Sequence, residues 1–111
     1  MSPKVLSAIL LGVFACVTTA QAADAPRSEG SQELHESMTA GTEKMHSMKM
    51  SGNTDADYVS MMIEHHRQAI AMSRTAVEHG SNSQVKAKAK EIIAVSEKDI
   101  GDLEKLKTEA P

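Results

Sequence analysis

The chain is poor in the residues that cross-link, stiffen or fill a protein core. Its 111 residues include one cysteine, three prolines, one phenylalanine, one tyrosine and no tryptophan. A single cysteine cannot form an intrachain disulfide, and two aromatic rings contribute little to a hydrophobic core. No segment alternates apolar and polar residues with a period of two, so no β-strand is expected. The sequence therefore predicts an all-α protein with a thin core.

Positive charge is scarce as well. Fifteen Asp and Glu stand against twelve Lys and Arg, which gives a net charge of −3 with neutral histidine. Binding of nucleic acid requires a basic surface that neutralises phosphates, so nucleic acid is excluded as an expected partner. A chain of this length forms one domain and buries only roughly 60 to 65% of its unfolded surface.

The N-terminus has the layout of a secretory signal peptide. Lys4 precedes an apolar run over residues 5–17, and an Ala-Gln-Ala cleavage motif ends at Ala22. Residues 1–22 are therefore predicted to be removed on export to the periplasm. The apolar run is shorter than the roughly 20 residues that span a membrane, so no membrane association is expected after cleavage. A membrane anchor and a lipoprotein signal with Cys16 as the lipidated residue remain alternatives.

The rest of the chain divides into a short leader and a helical domain. Residues 23–32 have no apolar period and are predicted to be a disordered leader. Residues 33–111 are predicted to form one helical metal-binding domain, because their apolar residues recur at steps of three and four. Short links favour antiparallel neighbours, so the predicted fold is a small antiparallel bundle with helices at 33–50, at 55–79 and from residue 84 onward.

Residues at the helix ends support these boundaries. Thr54 and Asp57 resemble a capping box at the start of helix 2. Gly80 is expected in the left-handed conformation that commonly ends a helix, and Ser83 is the expected N-cap of helix 3. The predicted core seam of helix 3 consists of Val85, Ala89, Ile92, Ser96, Ile100, Leu103 and Leu106.

Helix 2 carries the residues with the clearest chemistry. At 100° per residue, Met61, His65 and Met72 share one face, and Met62 and His66 lie between that face and an apolar one. The apolar face consists of Val59, Ile63, Ile70 and Val77, and the face predicted to meet water consists of Glu64, Arg67, Arg74, Thr75 and Glu78. Helix 1 adds a second group of thioethers and one imidazole, namely Met45, His46, Met48 and Met50.

Apart from Met1, every methionine and histidine lies between residues 35 and 79, and helix 3 has none. Methionine that only fills gaps would be spread over all three helices, so this segregation favours a metal site. Thioether sulfur is soft and prefers Cu(I), and imidazole binds copper in either oxidation state. Methionine also avoids the disulfide formation that removes thiols in an exported compartment. Copper is thus the expected cofactor, with Cu(I) favoured and Cu(II) or Ag(I) left open.

Two metal-free interpretations remain beside this one. Methionine at helical spacing often fills a core. A Met-rich face can also dock a partner or a second copy, and the protein would then be a helical interaction or dimerisation module. A homodimer is compatible with either function, because three helices with few large side chains barely close a core.

The segment from Asp55 to Met72 resembles the signature of the CopM-like family. The likeness rests on Asp55, Tyr58, Met61, Met62, Ile63, His65, His66, Ala69, Ile70 and Met72. It implies a ferritin-like, four-helix-bundle-like exported protein that binds copper and supports copper tolerance. The implied ligands are Met61, Met62, His65, His66 and Met72, with Met45, His46, Met48 and Met50 as a looser Met-rich segment. Glu64 and Gln68 depart from the family pattern, and so do Ser96, Leu103 and Leu106 in helix 3.

The expected function is buffering or delivery of Cu(I), with a copper efflux or oxidase component as the recipient. An enzyme is not expected. A di-iron site of the ferritin type needs two Glu-x-x-His motifs, and only Glu43 with His46 forms one.

The composition of the expected site leads to a prediction about pH. Imidazole binds a metal ion only in its neutral form, whereas a thioether does not titrate. Affinity for Cu(I) should therefore decrease as the pH falls below about 6.5, and a weaker affinity from methionine alone should persist. A competition titration with a cuprous chelator at several pH values measures this, and an affinity independent of pH would contradict imidazole ligation.

Overall fold

The computed structural model describes residues 27–109 and, among their side chains, those of residues 27–107. This part of the chain forms α1 (Glu29–His46), α2 (Thr54–His79) and α3 (Ser83–Glu109), and it contains no strand. The predicted all-α class with three helices is confirmed. The predicted signal peptide and residues 23–26 of the predicted leader lie outside the described residues.

Helix α2 is the centre of the fold. Both α1 and α3 pack against it, whereas the backbones of α1 and α3 do not approach each other within the described part of the chain. Lys44 of α1 pairs with Glu64 at 2.7 Å, and the Gln68 amide donates to the carbonyl oxygen of Met38 at 3.0 Å. Position numbers in α1 rise as those in α2 fall, so the two helices are antiparallel.

Helix α3 is antiparallel to α2 on a different face. Arg74 pairs with Glu97 at 3.5 Å, and Arg67 pairs with Glu104 at 3.4 Å. Since α1 and α3 are both antiparallel to α2, they run parallel to each other. The predicted antiparallel packing of neighbouring helices is therefore correct. Helices α1 and α3 flank α2, and one side of α2 is left open.

The core between α2 and α3 is thin. Its buried apolar side chains are Val59, Ile63, Ile70 and Ala89. Ile63 is only 3% exposed, and burial of such a side chain contributes about 2 kcal/mol. No large side chain of the described part is completely buried. Helix packing therefore depends on many half-buried contacts.

One polar residue lies on an unexpected face. Thr75 was expected to meet water, but it is 4% exposed, and its hydroxyl donates to the carbonyl oxygen of Ala71 at 3.3 Å. The prediction was wrong because Thr75 shares a face with Glu64 and Gln68, which α1 covers. A periodic pattern could not identify this second contact surface, since its residues are polar.

Helix α1 is shifted towards the N-terminus relative to the prediction. It begins at Glu29, because the Ser28 hydroxyl caps it by accepting from the Ser31 backbone N–H at 3.2 Å. Residues 29–32 are therefore helical, although they were assigned to the disordered leader. The helix ends at His46, so Met48 and Met50 lie in the link to α2 rather than on a helix.

The other helix ends also differ from the expected caps. Asn53 rather than Thr54 caps α2, and Asn82 rather than Ser83 caps α3 through backbone donors at 2.9 and 3.1 Å. Asparagine is as good a cap as serine or threonine. The sequence alone therefore could not decide which of two adjacent residues caps each helix. Gly80 has φ −70° and ψ 145°, an extended conformation rather than the expected left-handed one.

The predicted seam of α3 is only half correct. Ala89 and Ser96 are buried, and Ile100 and Leu103 are half-buried. Three other members of the predicted seam, Val85, Ile92 and Leu106, are 53%, 38% and 52% exposed. The physical reason is that α2 covers one side of the apolar face of α3, and no helix of the described chain covers the other.

A ladder of ion pairs ties the three helices together on one side of α2. The Glu64 carboxylate pairs with Lys44 of α1 and with Arg67, and Arg67 continues to Glu104 of α3. The Lys44 ammonium, and secondarily the Arg67 guanidinium, hold the pKa of Glu64 below its usual range. Glu64 is 13% exposed in its side chain, so it is the best-shielded member of the ladder.

Close approach of α1 to α2 at Gly30 leads to a stability prediction. A Cβ at Gly30 would lie 2.5 Å from the Cβ of His79, whereas a Cβ at Gly101 would meet nothing within 4 Å. Gly101→Ala should therefore stabilise by about 1 kcal/mol through helix propensity. Gly30→Ala should destabilise by about 1 kcal/mol, because overpacking outweighs that gain. Chemical denaturation measures both, and equal stabilisation by the two substitutions would contradict the close packing of α1.

The ion-pair ladder leads to a prediction about pH. A carboxylate with a lowered folded-state pKa contributes stability that is complete above its unfolded pKa and is lost as the pH falls through its folded pKa. Lys44→Met should therefore reduce the unfolding free energy at pH 7 by at most about 1 kcal/mol, since Lys44 is exposed. The difference from the parent should disappear below about pH 4, and Lys90→Met serves as the exposed control. A difference that persisted in acid would mean that lost packing, not charge, is responsible.

Candidate metal site

A groove runs along α2 between α1 and α3. We define the open face of α2 by helix geometry as the side that carries Met61, Met62, His65, His66, Ala69, Met72 and Ala76, all of them half-buried or exposed. One end of the groove is walled by Leu34 of α1 and by Val85 and Ile92 of α3, which border the same cavity as Met72 and Ala76. The two alanines are short, so they leave space beside the longer side chains.

The three thioethers of the open face are half-buried. Met61, Met62 and Met72 are all intermediate in exposure. Helix geometry places Met61 and Met62 one turn before His65 and His66, and it places Met72 two turns after His65. The five donors that the sequence predicted for helix 2 are therefore distributed along about three turns of one side of α2, and each has at least part of its side chain accessible.

The two adjacent imidazoles point in different directions but remain close. Their ring centroids are 6.1 Å apart, with an angle of 65° between the ring planes. His65 is exposed, whereas the side chain of His66 is 20% exposed and faces α3. The Nε2 atom of His66 lies 3.9 Å from Oδ2 of Asp99. This distance is too long for a hydrogen bond, so Asp99 is a neighbour of His66 that does not fix the orientation of its ring.

Asp99 is a residue that the sequence analysis missed. No ligand or contact from helix 3 was predicted, because that helix contains no methionine or histidine. A signal was nevertheless present, since Asp99 follows Ser96 by three residues and is one turn before Leu103. A carboxylate that interrupts an apolar seam in this way marks a place where a polar partner is needed.

The Met-rich segment of helix 1 and its link is divided by the structure. Met45 is half-buried, and it follows Lys44, whose partner Glu64 is adjacent to His65. Met48 is also half-buried, but Met50 is 53% exposed and His46 is exposed. Met45 is therefore brought level with the imidazoles, whereas His46 and Met50 are not brought into the groove.

An acidic clasp positions the link that carries Met48 and Met50. The Asp57 carboxylate accepts from the Ser51 backbone N–H and hydroxyl, each at 2.7 Å, and from the Gly52 N–H at 3.3 Å. The Ser51 N–H is the main reason why the pKa of Asp57 lies below its usual range. Gly52 has φ +86°, a conformation that glycine adopts without strain. The link is thus tied to the first turn of α2.

The remaining histidines lie elsewhere. His79 pairs with Glu33 of α1 at 3.0 Å, at the far end of α2 from the clasp. Within residues 27–109, no three histidine, aspartate or glutamate side chains converge on a point where they could hold a metal ion. The donors that accompany His65 and His66 on the open face are thioethers.

Comparison with known proteins identifies a family for the chain. No curated protein and no solved structure matches it. Among residues 27–109, no helix is long and apolar enough to span a membrane. A family model described as "Domain of unknown function (DUF305)" matches residues 12–108. Since this match includes nearly the whole sequence, the chain belongs to the DUF305 family.

Proposed function

We propose that this protein binds copper, chiefly Cu(I), on the open face of α2. The observation that carries the proposal is the composition of that face between Met61 and Met72. It contains three thioethers and two imidazoles within about three helical turns, and no carboxylate. Between Met61 and Met72, the charged residues of α2 are Glu64 and Arg67, and both belong to the ion-pair ladder on another side of the helix.

The donor set matches the chemistry of Cu(I). Three soft sulfurs and two imidazoles suit a soft monovalent ion, and none carries a charge that would favour a hard divalent ion. Met61 with His65 and Met62 with His66 form i, i+4 pairs whose β-carbons are about 5 to 6 Å apart. Each pair offers one sulfur and one nitrogen to the same ion.

The accessibility of the site favours buffering or delivery over a structural role. His65 is exposed and the three methionines are half-buried, so bound metal would be reachable by a partner. Met45 and Met48 extend the donors towards the link, while Met50 and His46 offer an outer, exchangeable position. This proposal includes the finer assignments to a CopM-like, ferritin-like protein, to the periplasm, and to copper tolerance through an efflux or oxidase partner. A binding protein, not an enzyme, is proposed.

A competition titration with a cuprous chelator tests the site. Met61→Leu/Met62→Leu/Met72→Leu removes three sulfurs at nearly constant volume, and His65→Ala/His66→Ala removes both imidazoles. Each set should weaken Cu(I) binding at pH 7 by at least about tenfold, because each removes ligands from the same ions. Met45→Leu/Met48→Leu/Met50→Leu should lower the number of bound ions more than the affinity of the tightest one.

The control for the imidazole variant is His35→Ala, an exposed histidine of α1 outside the groove. It should leave the tightest affinity unchanged. Circular dichroism without metal should show the same helicity for all variants. If the parent protein lost Cu(I) to a weak competitor, or if the His65→Ala/His66→Ala variant bound as tightly as the parent, the proposal would be wrong.

Exposed apolar residues favour a second candidate, an interaction module that uses the groove for packing without metal. Met38 of α1 and Val85, Ile92 and Val95 of α3 are 47%, 53%, 38% and 52% exposed. The same titration separates the two functions, because a surface that serves only for packing does not bind Cu(I). The two are also compatible, because the exposed apolar residues of α3 and the donors of α2 lie on different helices.

A further inference from the structure

We propose that a second copy of this chain docks on α3, with the two α3 helices antiparallel about a two-fold axis between Ile92 and Val95. The contact surface is an outer stripe of α3 that consists of Val85, Lys88, Ile92, Val95 and Asp99. This inference does not depend on copper binding.

The outer stripe has the spacing of a helix that packs against another helix. Its members follow at steps of three, four, three and four, which place them on one side of α3. Val85, Ile92 and Val95 are exposed, although they belong to a well-ordered amphipathic pattern. Ala89 and Ser96, one position further round the helix, already pack against α2. The outer stripe is thus a second packing face of α3, and nothing in residues 27–109 covers it.

The charges of the stripe are complementary to themselves in an antiparallel pair. Lys88 is four residues before Ile92, and Asp99 is four residues after Val95. When Ile92 faces Val95 of the second copy, Lys88 therefore faces Asp99 of the second copy, and the same pair forms again on the other side of the axis. A parallel pair would instead place Lys88 against Lys88.

The charged residues that flank the outer stripe are also complementary to each other in the antiparallel pair. Glu91 and Lys98 lie on its solvent side, in the positions that exchange ion pairs between packed helices. In the antiparallel arrangement they face each other across the axis. In the isolated chain Lys88 pairs with Glu91 at 2.9 Å and Lys98 pairs with Asp102 at 2.6 Å. These are exposed pairs within one helix, and such pairs rearrange at little cost.

The fold has room for this second helix. A copy of α3 laid along the outer stripe lies on the groove side, because Ile92 and Val85 border the same cavity as Leu34 and Met72. Helices α1 and α3 are parallel and do not meet there.

Sedimentation equilibrium on the purified protein tests the proposal. The N-terminus is first identified by mass spectrometry, and metal is removed with a chelator. The parent should be a dimer at protein concentrations of about 100 µM, a range in which moderate interfaces are populated. Lys88→Glu should raise the dissociation constant by at least about tenfold, because it faces Asp99 with a like charge twice in each dimer.

The charge swap Lys88→Glu/Asp99→Lys should restore the dimer, since the opposite charges face each other again. Lys90→Glu is the matched control, because Lys90 is exposed on the opposite side of α3, and it should leave the dissociation constant unchanged. Val95→Asp should abolish the dimer while circular dichroism shows unchanged helicity. The proposal would be wrong if the parent protein were a monomer. The outer stripe would then be covered by the N-terminal segment of the same chain or by a different protein. A charge swap that is no better than Lys88→Glu alone would also overturn the proposal.

Discussion

The structure depends on one constraint, which is that α2 must pack against two partner helices whose backbones do not approach each other in the described part of the chain. A helix between two partners has to be suitable for packing on two faces, and α2 has large apolar residues for only one. It packs against α3 with Val59, Ile63 and Ile70, and it meets α1 with a polar face that includes Glu64, Gln68 and Thr75. The hydrophobic effect therefore holds α3, whereas hydrogen bonds, ion pairs and the close approach at Gly30 hold α1.

This division explains the two sides of the molecule. On one side, Lys44, Glu64, Arg67 and Glu104 connect all three helices through charges. On the other side, the angle between the two packing faces leaves α2 open, and the residues there are soft donors rather than charged groups. A face of thioethers and imidazoles and a charged face can coexist on one helix because 3.6 residues per turn distribute neighbours in sequence to different sides.

The open groove leaves part of the apolar surface of α3 exposed to water. The exposed Val85, Ile92 and Val95 are as apolar as the buried positions beside them. A second copy docked on α3 would cover these residues and at the same time border the cavity that Met72 lines. Copper binding would then depend on sulfur and nitrogen donors of α2, and self-association on apolar and charged residues of α3. The two would meet at Asp99, which belongs to the outer stripe and is a neighbour of His66.

The sequence by itself determined the helices, the segregation of methionine and histidine, and the shared face of Met61, His65 and Met72, because all of these follow from local periodicity. It did not determine where α1 starts, since serine caps are common and only the structure selects Ser28. Nor did it identify Thr75 as buried, Asp99 as the neighbour of His66, or Val85 and Ile92 as exposed. These depend on which face of one helix meets another. An apolar stripe specifies that a residue can be buried, but only the arrangement of the partner helices decides whether it is.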